Sequence, residues 1–85
     1  MSTSPETAPA AEDRIVNLLS QWLAFHLANA ELRRRLAQIG TSTLEPGQAA
    51  AVEELLSELA DAAPDERGDL EMVVRETLEA VALGG

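Results

Sequence analysis

With 85 residues, 15 carboxylates against six arginines, no lysine and a formal charge of −9, the chain has room for one domain and carries strong acidic character. It has no cysteine, which excludes disulfides, thiolate metal sites and thiol nucleophiles, and its charge repels phosphate backbones, so nucleic acid is not expected as a ligand. The hydrophobic fraction of 46% is nearly all Ala, Leu and Val, with Trp22 and Phe25 the only aromatics, a composition that favours helices over strands.

Residues 1–10 are Ser, Thr, Pro, Glu and Ala with two prolines, a segment that buries little apolar area and reads as a disordered tail before a single domain over 11–85. No basic residue precedes Arg14 and no apolar stretch stands there, so no secretory signal is expected and a cytoplasmic location follows as the default. The longest uncharged run, Ile15 to Ala30, is too short to span a bilayer and contains Asn17, Ser20, Gln21, His26 and Asn29, so no membrane association is expected.

From Ala11 onward, apolar residues recur at Ile15, Leu18, Trp22, Phe25, Leu32, Leu36 and Ile39 in alternating steps of three and four, with Asn29 the polar member of the series. The spacing predicts one helix over 11–39, about 29 residues and roughly 43 Å long, ended by Gly40. A second helix is predicted over 46–62, with Glu45 as cap, Pro46 at the first position and Gln48 completing a capping box. Its apolar stripe is Val52, Leu55, Leu56, Leu59 and Ala63, and its polar side is Glu53, Glu54, Ser57, Glu58 and Asp61. A third helix is predicted over 64–83, opening on Pro64 and an acidic turn and burying Leu70, Val73, Val74, Thr77, Leu78 and Val81. Gly68 weakens that first turn, and fraying there would move the start toward Asp69.

The fold class is therefore all-α: a three-helix unit, long helix 1 and then two shorter helices. Helix 1 carries a second apolar set, Val16, Leu19, Leu23 and Leu27, and two shorter helices cannot cover it on every side. Each large side chain left in water forgoes about 1.5–3 kcal/mol, so a homodimeric helical bundle formed through helix 1 is expected, with antiparallel pairing ahead of the parallel alternative. The expected interface is Ile15, Leu18, Leu19, Trp22, Leu23, Phe25, His26, Leu27, Asn29 and Leu32. Asn29 has two readings: it fixes register between paired helices, or it faces the polar end of an intrachain bundle.

Chemistry at single residues is sparse. His26 has Trp22 and Ala30 one turn away, neither a nucleophile nor a metal ligand, so it reads as a structural residue at the rim of the apolar face. Glu53, Glu54, Glu58 and Asp61 lack the alternation of a calcium loop and the Glu-x-x-His pairs of a di-metal bundle, and read as a solvated strip able to meet a basic partner. Arg33-Arg34-Arg35 falls in the last turns of helix 1, where cations oppose the helix dipole and can pair with that strip. Arg67-Gly68-Asp69 matches an adhesion tripeptide by chance, and Gly84-Gly85 reads as a helix-end cap or a processing signal.

No catalytic set, cofactor site or metal site is expected. The function expected is a non-enzymatic helical interaction module, a scaffold, adaptor or small regulatory subunit that binds itself. The alternative is an acidic inhibitor or antitoxin-like regulator of a basic protein.

Overall fold

The computed structural model describes residues 10–64 and 66–83, so residues 1–9, Gly84 and Gly85 lie outside it, and with them most of the predicted tail and the paired glycines. Among the described residues the chain is all-helical, with four helices and no strand: α1 (Ala11–Leu23), α2 (Asn29–Ile39), α3 (Pro46–Asp61) and α4 (Gly68–Leu83). Each helix packs on the next and α4 returns to α1, closing a ring in which the diagonal partners stay more than 8 Å apart between Cα atoms. The core inside this ring is built from Ile15, Leu18, Leu19 and Trp22 of α1, Leu32 and Leu36 of α2, Val52, Leu55 and Leu59 of α3, and Leu70, Val74 and Val81 of α4, with Leu27 closing it from the α1–α2 connection.

The expectation of one helix over 11–39 is corrected here. The chain leaves the helix after Leu23 and re-enters it at Asn29. The ending is a Schellman motif: the His26 amide donates to the Gln21 carbonyl at 2.8 Å and the Phe25 amide to the Trp22 carbonyl at 3.0 Å, with Phe25 in the left-handed region at φ 65°. That position is usually glycine, because a Cβ there costs about 1–2 kcal/mol. A phenylalanine in it leaves no stop signal in the sequence. The turn lets α2 fold back, so the two apolar faces that a straight rod would point outward are shared among four helices.

The later elements keep closer to expectation. α3 starts at Pro46 behind a capping box, in which the Gln48 side chain accepts from the Glu45 amide at 2.9 Å. Gln48 is also fully buried, and its Nε2 donates to the Glu12 carboxylate and to the Val81 carbonyl, both at 3.0 Å. One cap residue thereby ties α3 to α1 and to the end of α4. α4 begins at Gly68 rather than at Pro64, because Ala63 and Glu66 close a turn first: the Glu66 amide donates to the Ala63 carbonyl and the Ala63 amide to the Glu66 carboxylate. Val52, Leu55, Leu59, Leu70, Val74, Thr77 and Val81 are buried as the periodicity predicts, whereas Ala63 lies exposed beyond the end of α3.

Candidate functional site

The corner where α1 ends, α2 begins and α4 begins holds a polar network built on one buried side chain. Asn29, the first residue of α2, is buried, and its Oδ1 accepts the indole N–H of Trp22 at 2.7 Å. Its Nδ2 donates to the carbonyls of Glu66 at 2.7 Å and Ala63 at 3.3 Å. Three of the four hydrogen-bonding capacities of this side chain are thus used inside one chain, which matches the intrachain reading of Asn29.

Arg67 closes the same corner from the other side. Its guanidinium lies over the Trp22 ring at 3.8 Å and over the Phe25 ring at 4.4 Å, measured to the ring centroids. The same group donates to the Trp22 carbonyl, which also accepts the Phe25 amide at the end of α1, and to the Leu27 carbonyl at 3.5 Å. A cation at the negative end of α1 is favoured by the helix dipole, and the planar fork of arginine can bond and stack at once. The sequence offered this residue only as part of a chance tripeptide.

Of the ten residues expected at an interface, the fold encloses seven: Ile15, Leu18, Leu19, Trp22, Leu27, Asn29 and Leu32 are buried within the chain. The exposed leucines and indole from which self-association was inferred are covered by α3 and α4, because the helix break supplies the neighbours that a single rod lacks. Leu23 is half-buried against the core, while His26 and Phe25 are exposed. Phe25 reaches 76% exposure, and the other large apolar side chains in water among the described residues are Met72 and Leu83.

Phe25 and Met72 flank one continuous surface. A shallow groove of about 80 Å³ between Leu23, Phe25 and Arg67 shares Gly68 and Glu71 with a second, of about 350 Å³, lined by Met72 and Arg75. A Cβ built on Gly68 would meet nothing within 4 Å, so the backbone lies open along this surface. Here too sit Arg67 and Arg75, the only cations from Thr41 onward, against eleven carboxylates in that stretch.

No protein-family model matches the chain, and neither a curated protein nor a solved structure is significantly similar to it.

Electrostatics elsewhere is local. Arg34 and Arg35 do not reach the acidic strip of α3; both pair with Glu31 on their own helix, Arg35 Nε at 2.6 Å. Hydrogen bonds from Arg34 and then Arg35 hold the Glu31 carboxyl below its usual range, and the bond to Glu31 raises Arg34. The support from Glu31 is present above the ordinary carboxylate value and is lost as pH falls through the lowered one, and solvent screens it because the groups are exposed. Glu53, Glu54, Glu58 and Asp61 are exposed on α3, and among the described residues no three His, Asp or Glu side chains converge closely enough to hold a metal ion. No described helix is long and apolar enough to cross a membrane.

Proposed function

We propose that this chain is a non-catalytic helical interaction module that pairs with a second copy of itself through the face between Phe25 and Met72. The observation that carries this reading is Phe25. An aromatic side chain in the left-handed backbone region is strained, and here it is also turned into water, so both its backbone and its exposure cost free energy in an isolated chain. Strain combined with exposure favours a role in contact with another surface. Arg67 holds the ring from beneath, which lowers the entropy lost on binding.

Net charge opposes a like copy, but least at this face. A chain of formal charge −9 repels its own kind everywhere except where cations gather, and on the acidic half both arginines flank this groove.

Sedimentation equilibrium over a wide concentration range tests the reading, with Phe25→Gly as the variant. Glycine relieves the positive φ, which offsets the lost stacking on Arg67, and far-ultraviolet circular dichroism establishes that the variant is folded before its mass is read. The wild type is expected to sediment at twice the mass of one chain in the high micromolar range and the variant at one. A wild-type monomer throughout that range would remove this proposal.

The acidic strip favours a second reading, the regulator of a basic protein. Glu53, Glu54, Glu58 and Asp61 all lie exposed along α3, and a partner of opposite charge would be steered to them.

A further inference from the structure

The positive charge of this molecule collects in the cleft between α1 and α2. From Ala10 to Gly40 the chain holds four arginines and three carboxylates, whereas from Thr41 onward it holds two arginines and eleven. Three of those four arginines meet in one place. Arg14, Asn17 and Gln21, spaced along one face of α1, stand across from Arg34, Arg35 and Gln38 of α2, around an open cavity of about 360 Å³ that also includes Leu18 and Ile39. That volume lies in the range of sites that take small organic molecules.

No carboxylate lines this cavity. The contrast with the cleft at the α3–α4 turn is sharp, since Glu58, Asp61, Glu66 and Asp69 line that one. Glu31 binds Arg34 and Arg35 from outside the lining, using Nε and Nη2 of the first and Nε of the second. The remaining N–H groups of both guanidiniums make no hydrogen bond among the described residues. One carboxylate shared by two arginines leaves a net positive charge and restrains both forks, and carboxamides on either wall add further donors.

We propose that the α1–α2 cleft binds a small, multiply charged oxyanion, a phosphate ester or a polycarboxylate, held by Arg14, Arg34 and Arg35. Guanidinium forks suit the paired oxygens of either group, and the carboxamides of Asn17, Gln21 and Gln38 can donate to the rest. The site is separate from the Phe25 face and stands or falls without it.

Nuclear magnetic resonance titration of the isotopically labelled full chain tests the proposal, with sodium pyrophosphate in one series and sodium citrate in another at constant ionic strength. Saturable shifts are expected at the side-chain amides of Asn17, Gln21 and Gln38, with a dissociation constant below about 1 mM. Arg14→Gln and Arg35→Gln should each weaken binding about tenfold or more, while Arg33→Gln, on the same helix but outside the cleft, leaves it unchanged. Tighter binding of pyrophosphate assigns the site to phosphoryl groups, tighter binding of citrate assigns it to carboxylates, and equal binding supports the shared class. Shifts that rise without saturating to about 20 mM in both series, or a saturable site untouched by both cleft variants, would overturn it. Both positions are at the surface, and far-ultraviolet circular dichroism establishes that each variant is folded before its titration is read.

Discussion

Asn29 serves three partners from one buried carboxamide: the Trp22 indole and the carbonyls of Ala63 and Glu66. Truncation would leave an indole N–H inside the protein with nothing to bond, and orphaned buried groups cost more than the bond itself contributes. Asn29→Ala is therefore expected to lower unfolding free energy by about 2–3 kcal/mol, read from urea unfolding at unchanged slope. A loss below about 0.5 kcal/mol would mean that water replaces the carboxamide and that the corner is open. Arg67 works on the same corner, stacked on two rings and bonded to the end of α1, which explains how a backbone strained at Phe25 is held in place.

At the scale of elements, the two glycines that frame the helices do different things. Gly40 ends α2 with φ 75° and ψ −177°, a conformation open almost solely to glycine. A Cβ there would meet no atom within 4 Å, so the penalty of Gly40→Ala comes from backbone alone, about 1–3 kcal/mol. Thermal unfolding would show this as a midpoint lowered by several degrees, on the order of 4–8 °C per kcal/mol; an unchanged midpoint would mean that the α2–α3 connection relaxes freely. Gly68 opens α4 beside the Phe25 groove with no positive φ and no neighbour to strike. Gly68→Leu is expected to leave the melting temperature unchanged or raised, since leucine favours the helix. The same change should weaken self-association about tenfold, as seen by sedimentation, because the side chain fills the groove a partner would enter.

Over the whole molecule, charge decides how association responds to salt. Pairing through an apolar face between two chains of charge −9 is opposed by long-range repulsion, which salt screens. Raising ionic strength from about 0.02 to about 0.3 M should then tighten the homodimer. Capture of a basic partner by the α3 strip would respond in the opposite direction, since screening weakens attraction. Sedimentation at the two ionic strengths separates the readings: weaker self-association in high salt would locate the contact on opposite charges and away from the Phe25 face.

Helical class, the extent of α3, the end of α4 and most of their buried positions were readable from local pattern. Val52, Leu55 and Leu59 repeat at helical spacing, and Pro46 with Gln48 marks a start through bonds made within one turn. Such features are decided by near neighbours, so composition and periodicity suffice. The division of residues 11–39 into two helices was not readable, because the apolar repeat runs unbroken through Phe25 and nothing there is glycine or proline. That turn exists because Arg67, some forty residues away, bonds the carbonyls of Trp22 and Leu27 and stacks on the ring of Phe25, and because Asn29 can reach the chain before α4. The same distant contacts determined which of the ten expected interface residues remained at the surface, since burial depends on what the folded chain brings alongside, and spacing along one segment carries no record of that.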